Sequence, residues 1–150
     1  MVGFFSRSEV FAEEGIACND PSINLRTAPI GFRCQTSKGT IYERVTRENF
    51  GEAWKGSDGF IWSDCVGAYK QQAAIEVCAN LGGGLPSKAD FERGELNGFR
   101  QVLPNMKYRW YWSSSVLPIG ANKAYLFDGL YGNIGVGYSY YDEAVLCIGW

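Results

Sequence analysis

The stretch AIEVCANLGGGLPS, from Ala74 to Ser87, constrains this chain more than any other segment. Ala74, Val77, Cys78 and Leu81 recur at i, i+3, i+4 and i+7, so they share one face of a helix. The spacing predicts a helix over 69–81 that stops at Gly82, Gly83 and Gly84, because glycine enters the left-handed C-terminal conformation without a Cβ penalty. Pro86 prevents the helix from resuming. Ser87, with Asp90 three residues on, reads as the N-cap of a second helix over 88–100. That helix is weakened by Gly94 and Gly98, each of which costs about 1 kcal/mol relative to alanine. Cys78 lies on the apolar face of the first helix, and the only cysteine after it is Cys147.

Cysteine usage bounds the chemistry. Five cysteines occur without a CxxC pair and without a single histidine, so a zinc finger has no ligand set here. Disulfides in an oxidising compartment are the better account. Local pairing joins Cys18 to Cys34 and Cys78 to Cys147 and leaves Cys65 odd, as a small buried thiol. Exchange among Cys18, Cys34 and Cys65 stays open. A net charge of −2 argues against a nucleic-acid partner, which calls for a basic face. No apolar run is long enough to cross a bilayer. Met1 to Val10 has no apolar signal core, and the expectation is a fragment of a longer exported chain.

The chain divides by texture near residue 50. Residues 1–50 read as an extension or linker. They carry turns at Asn19–Ser22 and Ala28–Gly31, short strands near Phe32 and over 41–45, and a helical turn near 46–54. Val2, Phe4, Phe5, Val10 and Phe11 have no local partner, and the expected cover is a neighbouring copy, as in a homotrimer. From residue 51 the layout is a strand at 60–62 after the Asp58-Gly59 turn, the two helices, then strands over 109–115, 123–128, 134–137 and 144–148. Gly129, Gly132 and Asn133 supply a hairpin connection. Strand, helix, helix and strand meander predict an α+β domain over 51–150, with two helices packed on antiparallel strands.

These residues also resemble a known family. The series C-x-x-L-G-G-G-L-P-S (Cys78 to Ser87), Y-W-S-S-S (Tyr111 to Ser115), A-Y-L-F (Ala124 to Phe127) and V-L-C-I (Val145 to Ile148) is similar to bacterial C-type-lectin-like modules. The DUF1566 and fibrobacter-major-paralogous domains, of the formylglycine-generating-enzyme branch, are the nearest in pattern. Many relatives carry arginine where Leu146 stands. The resemblance, together with the helix-face position of Cys78, implies a Cys78–Cys147 disulfide. It also implies a C-type-lectin-like fold and a surface-displayed module, at a fibre tip or on an adhesin, that binds a glycan or envelope component. The E-P-N, Q-P-D and W-N-D triplets of calcium-dependent lectins are missing; Leu103-Pro104-Asn105 has only the last two residues of such a set and reads as a turn. Asp128, Asp142 and Glu143 are scattered, so the expected site needs no calcium and no other cofactor.

Two other readings stand beside this one. A redox enzyme of the formylglycine-generating type would need a reactive cysteine pair. GFRC (Gly31 to Cys34) resembles the C-terminal segment of those enzymes, but precedes the core instead of closing it. Without histidine the usual general base is also missing. The other reading is a structural fibre cap with no ligand. The aromatics favour binding: Trp54, Trp62 and Trp112 read as core, whereas YGNIGVGYSYYD (Tyr131 to Asp142) mixes tyrosine with glycine, serine and asparagine, as adaptable binding loops do. The expected ligand-binding set is Tyr108, Arg109, Tyr131, Asn133, Tyr138, Tyr140 and Tyr141, gathered at one end of the sheet.

Overall fold

The computed structural model describes residues 16–103, 106, 109–119 and 121–150. The apolar positions at 2–11, Tyr108 and the last two members of the Leu103-Pro104-Asn105 triplet therefore lie outside the described residues.

Among the described residues, ten strands and two helices form an α+β fold. The strands are β1 (Arg33–Gln35), β2 (Ile41–Arg47), β3 (Gly51–Gly56), β4 (Ile61–Ser63), β5 (Gly67–Tyr69), β6 (Trp110–Val116), β7 (Lys123–Asp128), β8 (Ile134–Tyr138), β9 (Glu143–Val145) and β10 (Ile148–Gly149), and the helices are α1 (Gln71–Asn80) and α2 (Lys88–Leu96). They make two five-stranded sheets, ordered β1-β2-β3-β4-β10 and β5-β9-β6-β7-β8. Among the described residues every strand–strand pairing is antiparallel except β6 with β9, where Tyr111 lies opposite Ala144; an isolated parallel bridge also joins Ala17 to Gln35 of β1.

The expected helix stop is present, and it does more than stop the helix. Gly82 has φ +79. A Cβ on Gly83 would stand 2.5 Å from the Ile148 carbonyl oxygen, so only glycine lets the segment lie this close to the last strand. Gly84 and Ile148 exchange both backbone hydrogen bonds at 2.9 Å. Ser87 then caps α2 with a full capping box: its hydroxyl accepts from the Asp90 N–H, and the Asp90 carboxylate accepts from the Ser87 N–H.

Both disulfides form, Cys18–Cys34 and Cys78–Cys147, and Cys65 is a free thiol, half-buried instead of fully buried as expected. The expected last strand over 144–148 is split in two. Leu146 and Cys147 carry the chain from one sheet to the other: β9 pairs with β5 and β6, and β10 pairs with β4. At the crossover Cys147 donates to the Ser63 hydroxyl at 2.7 Å, and its carbonyl accepts from the Ser63 N–H. The Cys78–Cys147 bond therefore ties α1 to the hinge between the sheets.

The expected helical turn near 46–54 is instead a tight β2–β3 hairpin, with Asn49 and Gly51 both at φ +73. The alternation of β2 side chains between core and solvent outweighs the weak local helix signal. The boundary expected at residue 50 falls inside this hairpin. Residues 33–47 pair along β3 and belong to the same sheet as 51–63 and 148–149.

The second sheet is covered on both faces. On one face lies the larger core, where Phe91 of α2 stacks on Phe127 at 4.8 Å and Trp62 of the first sheet meets Phe99 at 4.5 Å. On the other face lies a smaller core of Ala74, Cys78, Leu85, Trp112, Ala124, Leu126, Val145 and Cys147 under α1. Trp54, Trp62 and Trp112 are fully buried, as their sequence contexts suggest.

A tryptophan groove beside helix α1

Helix α1 covers only part of its face of the sheet, and the register shows what the rest presents. Trp112 lies opposite Leu126, and Leu126 opposite Gly135, so these three share the α1 face. Tyr111 opposite Ala144 puts both on the larger core, which turns their neighbours Trp110 and Glu143 to the α1 face, side by side on β6 and β9. Trp112 is buried and fixed by its indole N–H, which donates to the Tyr69 carbonyl at 2.8 Å. Trp110 is not: it remains 42% exposed.

The indole of Trp110 is laid across β7 and rests on β8. A Cβ at Gly135 would stand 2.7 Å from the indole Cζ3, and one at Gly137 would stand 2.7 Å from Leu126 Cδ1. Glycine at these two positions, one residue apart, leaves the floor of β8 bare of side chains. The result is an open groove of about 390 Å³, lined by Trp110, Leu126, Gly135, Gly137, Tyr138, Tyr141 and Glu143 among others.

The end of the groove is held rigidly. Tyr138 and Tyr140 stack at 5.3 Å, and Tyr141 meets both edge-on, at 5.8 and 5.1 Å. The Tyr141 N–H closes a turn onto the Tyr138 carbonyl at 3.0 Å. Ser139 donates its N–H and hydroxyl to the Asn122 carbonyl, and its own carbonyl accepts the Gln71 N–H at the start of α1. Lys123, in register with Tyr138, sets its ammonium 5.0 Å from that ring centroid. A loop tied this way presents its rings with little ordering left to pay on binding.

Glu143 has no side-chain hydrogen bond or ion pair among the described residues. Partial burial, with Asp142 beside it, holds its carboxyl above the usual carboxylate range. Among the described residues no group of three or more cysteine or carboxylate side chains is placed to hold a metal ion.

The expected site residues do not gather at one end. Tyr138, Tyr140 and Tyr141 lie at the C-terminal end of β8, and Tyr138 and Tyr141 line the groove. Tyr131 and Asn133 lie at the other end, in the β7–β8 turn, where the Asn133 carbonyl accepts from the Asp128 N–H. Arg109 is with them, its carbonyl accepting from Gly129 N–H. The strand between the two groups is what separates them. The turn at that far end is braced by Arg100, which pairs with Glu95 and donates to the Leu130 carbonyl. Trp110, Gly135, Gly137 and Glu143 stand outside the expected ligand-binding set. The signal for them was present as two period-2 patterns, Trp110 with Trp112 and Gly135 with Gly137, which put an aromatic row and a bare row on one sheet face.

For the enzyme reading, four cysteines are engaged in disulfides and Cys65 is the only thiol left. Cys65 lies beside the Tyr111 hydroxyl, whose ionisation burial pushes well above its ordinary value. Family models, characterised proteins and solved structures were all compared with the chain, and none of them matches.

Proposed function

We propose that this chain is a recognition module of an exported protein that binds a glycan through the Trp110 groove without a metal ion. The observation that carries the reading is the half-exposed Trp110 indole lying over the glycine floor of β8, with tyrosine rings at its end. An exposed indole with a bare strip of backbone beside it is a flat apolar platform. Sugar rings offer a matching face of C–H groups, slightly positive, to the negative face of the ring. Few polar groups are needed beyond that, and they fix orientation. The two disulfides are consistent with an oxidising, extracellular setting.

A glycan array probed with wild type and with Trp110→Ala tests this. Because Trp110 is 42% exposed and lies outside the buried core, the variant is expected to keep the fold. Loss of a central aromatic anchor is expected to weaken binding by about 2 kcal/mol or more. Array signals that persist unchanged in a folded Trp110→Ala protein would place recognition elsewhere.

A further inference from the structure

The groove holds one group that a purely stacking site would not need. Glu143 lines it, half-buried between Tyr69 on β5 and Trp110 on β6, and no cation reaches its carboxylate among the described residues. Glu92, Glu52 and Glu95 pair with Lys88, Arg44 and Arg100, and of the acids without an ion pair among the described residues Glu48 and Glu76 stand exposed in solvent, whereas Glu143 is half-buried in a groove. Lys123 sets its ammonium over the Tyr138 ring, and Lys70 follows the Tyr69 that pairs with Glu143, but neither makes an ion pair with Glu143 among the described residues. Asp142, next in sequence, does not line the groove but adds its negative field to Glu143. A half-buried carboxylate without a partner, among aromatic walls, is complementary to a cation: the carboxylate supplies charge-assisted hydrogen bonds, and the rings tolerate positive charge at their faces.

Resting on the glycan reading above, we infer that the groove selects sugars bearing a free amino group, with Glu143 accepting hydrogen bonds from the ammonium while Trp110 stacks on the ring. A quaternary ammonium group would use the rings but could donate nothing to Glu143. Neutral N-acetyl sugars would use the platform and leave the half-buried carboxylate without a partner. The unpaired acid therefore favours a primary ammonium on a pyranose over either.

Calorimetric titration with short oligomers of glucosamine, N-acetylglucosamine and glucose, at neutral pH and physiological salt, tests the inference on wild type, Glu143→Gln, Trp110→Ala and Glu48→Gln. Glu48 is exposed on the β2–β3 hairpin of the other sheet, so its variant controls for net charge alone. Wild type should bind the glucosamine oligomer about tenfold to a hundredfold more tightly than the acetylated one, the range of one charged hydrogen bond. Glu143→Gln should erase that preference and Glu48→Gln should keep it. Equal affinity for the free and acetylated oligomers, or a preference that survives Glu143→Gln, would overturn the assignment. Neutral-sugar binding that Trp110→Ala abolishes would sink only the amino-group selection. Failure of all three oligomers to bind, or affinities indifferent to Trp110→Ala, would sink the groove reading with it.

Discussion

Removing the Cys78–Cys147 bond is the most informative test of how this fold is held together. The two cysteines are 69 residues apart in sequence, whereas Cys18 and Cys34 are 16 apart. In the chain-entropy account the longer loop contributes about 4 kcal/mol and the shorter about 3 kcal/mol. All four sulfur atoms belong to buried residues, so the cavity each pair leaves on truncation to alanine, about 1 kcal/mol, largely cancels in the comparison. Position widens the gap. Cys147 is the crossover between sheets and Cys78 is the centre of the α1 face, so the longer link joins three elements that share only a small core. Cys78→Ala/Cys147→Ala should therefore lose about 5 kcal/mol, at least 1 kcal/mol more than Cys18→Ala/Cys34→Ala. Urea denaturation followed by fluorescence of the buried Trp54, Trp62 and Trp112 measures both. A larger loss from the Cys18–Cys34 pair would refute the argument that loop length and the sheet crossover set the contribution.

Other outcomes follow from single positions. Gly94→Ala should gain about 1 kcal/mol of helix propensity in α2 but lose more, because its Cβ would stand 3.0 Å from Trp62 and 3.1 Å from Phe99. Both rings are fully buried and have nowhere to move, and overpacking costs about 1–3 kcal/mol, so thermal denaturation should show a lower midpoint. Glu143 should leave its mark on the pH profile of stability. Its folded-state pKa is raised by burial first and Asp142 second, with Tyr69 and Trp110 the other groups alongside it. The native state then holds this proton more tightly than the unfolded chain. Its favourable contribution is complete below the ordinary carboxylate pKa and disappears as pH rises through the raised value. Glu143→Gln should flatten that decline, so denaturation of both proteins across the acidic range should find the variant gaining on wild type as pH rises. A constant difference between the two would show that the carboxyl is not desolvated.

The features legible in the sequence are those set by neighbours in the chain. The Gly82 stop and the Ser87–Asp90 capping box depend on contacts within a few residues and stand where the caps put them, whereas the α1 face keeps Ala74, Cys78 and Leu81 but takes Gln71 and Ile75 in place of Val77, and the second helix ends at Leu96 instead of near residue 100. β7 matches the expected 123–128 to the residue, because the aromatic run and the Gly129–Asn133 turn bound it on the C-terminal side. The segment AVLCI was opaque for the opposite reason. Its β-branched, apolar pattern is that of one strand, and nothing local reveals that Leu146 and Cys147 pass between two sheets. The β2–β3 hairpin was similarly hidden, since the pairing that makes it a hairpin is a tertiary fact about β3 and β4.

The groove shows the same limit at the level of function. A tyrosine-rich stretch drew attention to residues 131–142, but five residues of extended strand carry Tyr131 and Asn133 away from Tyr138 and Tyr141. What replaces the missing half of the expected site comes from β6 and β9, which are far apart in sequence and become neighbours only through a parallel strand pairing. That pairing sets Trp110 beside Glu143. Shifting β9 by a single residue would turn Glu143 toward the larger core, where a carboxylate has no place, and would bring Ala144 to the groove. The buried Ala144 and Val145 thus hold the register, and the disulfide at Cys147 anchors it two residues further on. The same bond that closes the fold therefore places the groove's one charged group beside its aromatic wall.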